Sequence, residues 1–149
     1  MKLFINLFVV LFLSTIQAQE HLNLKNGFAA EGYDVVAYFN NKAIKGDKKI
    51  FYNYKCAKYS FSSNKNYETF KNNPEMFVPQ YGGYCAYAIA DTNEKVSINP
   101  KSFQILDHKL YLFYNNWGVN TLDKWKEEGP KKLQKQADIN WENLMKKKS

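Results

Sequence analysis

The sequence predicts an α+β fold, a small antiparallel sheet of hairpins packed against several short helices. Three observations carry that expectation. Aromatic residues make up 17% of the 149 positions and gather in strand-like runs separated by turn-length gaps. Capping and breaking residues divide the middle of the chain into short helical stretches. The C-terminal part repeats its apolar residues at helical spacing.

Taken in order, residues 1–18 read as an export signal. Lys2 is a minimal positive region, Leu3 to Leu13 an apolar run too short to span a bilayer, and Ser14-Thr15-Ile16-Gln17-Ala18 the cleavage region. Cleavage would leave a protein exported to the periplasm or beyond, with no transmembrane segment, and an uncleaved anchor is the alternative. Residues 19–30 are expected to be flexible, with His21 frayed. Residues 31–145 form one domain, and 146–149 a basic tail. Roughly 130 residues suffice for one real core.

Ile50-Phe51-Tyr52-Asn53-Tyr54 and Tyr59-Ser60-Phe61 are expected strands joined through Lys55-Cys56-Ala57-Lys58. Ser63 or Asn64 can cap a helix carrying Tyr67 and Phe70, which stops before Pro74. Asn73-Pro74-Glu75 opens a further helical turn ended by Pro79. Tyr84, Cys85, Tyr87, Ala88 and Ile89 form an apolar helix that should be largely buried. Phe103 to Leu106 and Leu110 to Tyr114 flank the turn residues Asp107-His108, and the second strand, apolar on both faces, belongs at a sheet centre. One closing helix carries Leu122 and Trp125 and stops at Gly129. The other opens at Pro130 and carries an apolar stripe of Leu133, Ala137, Trp141, Leu144 and Met145.

The net charge of +7 comes from lysine alone, because the chain has no arginine. Arginine forks dominate bidentate recognition of phosphates and bases, so specific nucleic-acid binding is disfavoured. Lys131, Lys132, Lys135, Lys146, Lys147 and Lys148 gather near the C-terminus. They read first as a solvated helix face, and alternatively as a weak contact with an anionic lipid or polysaccharide surface.

The segment most suggestive of chemistry is Tyr81-Gly82-Gly83-Tyr84-Cys85-Ala86-Tyr87. Glycine permits backbone angles and approaches that a Cβ forbids. A cysteine in the first turn of a helix sits near the positive end of the dipole, which favours thiolate. Yet a nucleophilic thiol wants a histidine base, and of the two histidines His21 lies near the N-terminus while His108 sits in a turn. The alternative is that Cys85 is a small buried side chain packed among tyrosines.

In order along the chain, Gly32-Tyr33-Asp34-Val35-Val36-Ala37-Tyr38-Phe39, Gly46, Tyr59 to Asn64, Phe70, Asn73-Pro74, Pro79 to Tyr87 and Leu110-Tyr111-Leu112 resemble the YHS domain family, in its exported single-domain bacterial branch. The resemblance implies a degenerate treble-clef-like core followed by C-terminal amphipathic helices. In metal-binding members the cysteine positions correspond to Ala37, Ser62 and Asn66, so the resemblance also implies that the zinc site is absent here. A transition-metal site using Cys85 with tyrosine or Asp34 oxygens remains open. So does a Cys56–Cys85 disulfide, which would close a loop of about thirty residues worth roughly 3 to 4 kcal/mol. Because Cys56 falls in a turn, two free thiols are the expectation.

Three functions follow. The first is a non-catalytic binding module for a metal ion or small ligand at Cys85, Tyr81, Tyr84, Tyr87, Asp34 and Tyr33. The second is an interaction module whose lysine-rich end docks on an acidic envelope surface. The third is a thiol-dependent enzyme.

Overall fold

The computed structural model describes residues 21–147, and the expected signal segment, Lys148 and Ser149 lie outside them. The α+β fold class is observed. A four-stranded sheet has the order β1-β2-β4-β3, formed by β1 (Leu24–Lys25), β2 (Phe28–Ala29), β3 (Asp47–Tyr54) and β4 (Ala57–Phe61). A separate hairpin pairs β5 (Asn99–Leu106) with β6 (Lys109–Phe113), and a short one pairs β7 (Asn115–Asn116) with β8 (Val119–Asn120).

Each of the four antiparallel pairs turns through two residues of positive φ: Asn26-Gly27, Lys55-Cys56, Asp107-His108 and Trp117-Gly118. That is the backbone that matches a two-residue turn to the twist of its strands. Asn26-Gly27 suits it without strain, whereas Cys56 and Trp117 hold left-handed angles that bulkier side chains resist. β6 is covered on both edges, and its apolar side chains are packed into the core on both faces. β5 pairs along one side, and Pro79 and Cys85 make parallel bridges to Leu110 and Leu112 on the other. Leu110, Tyr111, Leu112 and Phe113 are accordingly all fully buried.

The helices begin and end where local chemistry dictates. Ser63 caps Asn64–Asn72 by accepting a hydrogen bond from the Asn66 amide at 3.1 Å. Pro74 opens Pro74–Phe77, Asn120 caps Thr121–Glu128, and Pro130 opens Pro130–Lys146 after Gly129 at φ 103°. The last helix buries Leu133, Gln134 and Ala137 against the Ala86–Asp91 helix, with Trp141 and Leu144 packed beside them. Met145 belongs outside that stripe, being 44% exposed.

Two expectations are corrected. Residues 21–30 are built into the domain as β1, β2 and the turn after them, rather than flexible, and His21 stacks edge-on against Trp141. The central apolar helix starts at Ala86 and is six residues long, so Cys85 is its N-cap residue and not a first-turn residue.

Candidate functional site

The diglycine segment is shaped by two needs. Tyr81, Gly82 and Gly83 take successive left-handed angles, with φ of 55°, 61° and 82°. A Cβ on Gly82 would lie 1.9 Å from the His21 carbonyl oxygen, because the N-terminal segment runs directly over it. Asn23 fixes that crossing: its amide donates to the Gly82 carbonyl at 2.8 Å and its side-chain amide donates to the Gly83 carbonyl at 3.0 Å. The glycines therefore seat the start of the domain on its middle.

Cys85 follows from this geometry. Its amide donates to the Val96 carbonyl at 2.9 Å and its backbone bridges to β6, which carries the side chain into the core at 0% exposure. Its thiol lies 3.3 Å from the Thr121 hydroxyl, which itself donates to the Tyr114 carbonyl at 2.7 Å. The sulfur is closed to solvent in this structure. The donors also do not fit a transition metal, since the thiol's hydrogen-bonding partner is one neutral hydroxyl, and no group of three His, Cys, Asp or Glu side chains that could hold a metal ion assembles among the described residues. Both cysteines are free, Cys56 exposed at its turn and Cys85 buried.

The hydroxyls of Tyr81, Tyr84 and Tyr87, expected to join Cys85, bond to other partners. Tyr81 donates to the Asp138 carboxylate at 2.8 Å, and burial, reinforced by that carboxylate, pushes its hydroxyl far above the usual tyrosine range. Tyr84 donates to the Leu22 carbonyl at 3.3 Å, tying the motif to the N-terminal segment. Tyr87 donates to Glu128 at 2.7 Å; that bond, with burial, pushes its pKa up to about 12. Tyr33 stands elsewhere, under the Lys45 ammonium at 5.1 Å from the ring centre.

Asp34 is a site of another kind. It is fully buried, and its carboxylate accepts five hydrogen bonds, from the Val36 and Ala37 amides at 3.0 and 3.3 Å, the Ser62 amide and hydroxyl at 2.8 and 2.6 Å, and the Asn66 side-chain amide at 2.7 Å. Ala37, Ser62 and Asn66 are the positions where the family resemblance places cysteine ligands. Here they converge on an anion, which fastens the Ala37–Asn40 turn to β4 and to the Asn64–Asn72 helix.

What does open to solvent is a groove of about 320 Å³ beside the diglycine. It is lined by Leu22, Leu24 and Ala29 of the N-terminal segment, Tyr54 and Tyr59 of the β3–β4 hairpin, Val78, Pro79 and Gly82, and Trp141 and Met145 of the last helix. His21, Lys55 and Glu75 stand at its polar rim, and Lys55 and Tyr54 both bond to the Glu75 carboxylate. Sequence reasoning reached it only at Pro79 and Gly82, because the lining comes from four stretches of the chain, 21–29, 54–59, 75–82 and 141–145. The local signal for the part of the lining from Leu22 to Ala29 is Asn26-Gly27, a strong hairpin marker.

No family model, curated protein or solved structure significantly matches this chain. No helix among the described residues is long and apolar enough to cross a membrane.

Proposed function

We propose that this chain is a non-catalytic binding module of the exported YHS type, and that its ligand is a small, largely apolar molecule held in the groove beside Gly82. The observation that carries the reading is the groove itself: an open, mostly apolar cleft at the small end of the ligand-binding range, with a few polar groups at its rim to orient an occupant. The half-buried Trp141 offers its indole to it, and the exposed Met145 supplies an adaptable thioether. Cys85 has no part in binding on this reading, which replaces the thiol with the groove as the functional feature of the diglycine motif.

The test is a titration with the neutral fluorophore N-phenyl-1-naphthylamine, followed by probe emission and by tryptophan quenching, with circular dichroism to show that each variant is folded. Saturable one-to-one binding, weakened at least tenfold by Trp141→Ala and unchanged by Cys85→Ala, is the expected result. Failure to bind, or binding indifferent to Trp141→Ala and to Leu24→Gln, would remove the groove as the site.

A further inference from the structure

The β7–β8 hairpin contradicts what stability alone would select. Its two-residue tip is Trp117-Gly118, with φ of 52° and 75°. The first position of such a turn favours Asn, Asp or Gly, since a large side chain is strained at left-handed angles. Trp117 is also 89% exposed, the most exposed of the large apolar residues among those described. The chain thus holds its most hydrophobic kind of surface in water, on a backbone that resists it. A residue unfavourable on both counts points to a role outside the fold.

The hairpin also borders a cleft. Asn115 and Asn116, the two residues before Trp117, line a polar cavity of about 570 Å³ together with Tyr33, Tyr114, Asn99 and Lys45. The Tyr33 and Tyr114 rings are half-buried there. Lys45 lies over the Tyr33 ring and donates to the Glu31 carbonyl, which fixes one wall. Asn99 donates to the Asn115 carbonyl at 3.2 Å, which joins the hairpin to the other wall. An aromatic residue next in sequence to a cleft of amides, phenols, the Lys45 and Lys101 ammonium groups and the Glu31 carboxylate suits a ligand that combines apolar C–H faces with many hydroxyls.

We infer that this end of the molecule binds a hexopyranose chain, with the Trp117 indole stacking on the C–H face of one ring and the cleft bonding the hydroxyls of the next. The indole face is negatively polarised and attracts the weakly positive ring C–H groups. A bilayer is the poorer fit, because the tip carries only Val119 as an apolar companion and is flanked by Asn115, Asn116 and Asn120 rather than lysines. The site is separate from the apolar groove and stands or falls without it.

Laminarihexaose, cellohexaose, chitohexaose and an alginate hexamer are titrated into the full chain by calorimetry and tryptophan emission, beside vesicles of phosphatidylglycerol. Binding of at least one oligosaccharide, with a blue shift of emission, at least a tenfold loss in Trp117→Ala, and a loss of several-fold in Tyr33→Ala, is the expected outcome. Trp117→Asn provides the sharper arm. Asn accepts the left-handed tip, so this variant should melt no lower than the natural chain and yet lose the oligosaccharide. Absence of binding to all four, binding unchanged in Trp117→Asn, or Trp117-dependent binding to the vesicles alone would each overturn the proposal.

Discussion

Asp34 and Cys85 are both buried completely at the heart of sequence-conspicuous motifs, yet the fold treats them in opposite ways. The carboxylate collects five donors from three separate segments, while the thiol meets a single hydroxyl that already has a better acceptor. Burying a charge is tolerable only when hydrogen bonds replace its water, so Asp34 is committed to its surroundings. A thiol is a small hydrophobe that needs no such replacement. The residue most suggestive of chemistry is thus the more dispensable, and the plain carboxylate is the one that organises structure.

The strongest way to break that contrast is Asp34→Ala. It strands the Val36 amide in the interior and takes the shared acceptor from Ser62 and Asn66, while the Ala37 amide keeps the Asp34 main-chain carbonyl, and the expected loss is about 3 kcal/mol in urea unfolding. A loss under about 1 kcal/mol would show that the network is decoration and would erase the difference from Cys85.

The second test uses the tyrosines around Cys85. Burial raises the hydroxyl pKa of Tyr81 and Tyr111, and the Glu128 bond raises that of Tyr87 to about 12. An unfolded tyrosine ionises near 10. Below that pH both states keep their protons and the full stability is present. Between about 10 and 12 the unfolded chain sheds protons that the fold retains, so stability falls as pH rises through this window. The tyrosinate absorbance of Tyr81, Tyr87 and Tyr111 should therefore appear as a cooperative step together with loss of ellipticity, on top of the signal from half-buried tyrosines such as Tyr33 and Tyr114. A gradual rise to the full absorbance of all eleven tyrosinates with ellipticity retained would contradict the buried placement of these rings.

Gly82→Ala comes next. The new methyl meets the His21 carbonyl, and the backbone there already has φ of 61°, so the N-terminal strand must lift away. A loss of about 2 kcal/mol is expected, with faster hydrogen exchange at the Asn23 amide, whose acceptor is the Gly82 carbonyl. Unaltered exchange at Asn23 would mean that the diglycine does not seat that strand.

These features differ in how far the sequence reveals them. Ser63, Pro74, Pro130 and Asp107-His108 act on their immediate neighbours, so the elements they bound are legible from local chemistry. β1 and β2 are two residues each, too short to show alternation, and they hold because Asn23 and the Gly82 crossing anchor them. The start of the Ala86–Asp91 helix was legible only to within two residues, since the Cys85 amide is drawn to Val96 instead of into a helical turn. Asp34 and Tyr33 adjoin in sequence and share no task, and the groove is written in no single stretch. Pro79 and Gly82 belong to a motif, but the rest of the lining is brought beside them by tertiary packing.

The smallest effects separate the two cysteines. Cys85→Ala removes one sulfur from a packed core and should cost about 1 to 2 kcal/mol, well short of Asp34→Ala, because no polar group is stranded: Thr121 keeps the Tyr114 carbonyl. Cys56→Gly should act in the other direction. Cys56 is exposed at φ 63°, where a Cβ is a strain and glycine is not, so the exchange relieves the turn while loosening the unfolded chain. A net gain of up to about 0.5 kcal/mol is expected. Thiol titration reads both positions at once. Cys56 should react with Ellman's reagent within seconds, and Cys85 only at the rate of opening measured by hydrogen exchange in the core. Fast reaction at Cys85 would reopen that sulfur as a functional group, and it would place the two buried residues on an equal footing.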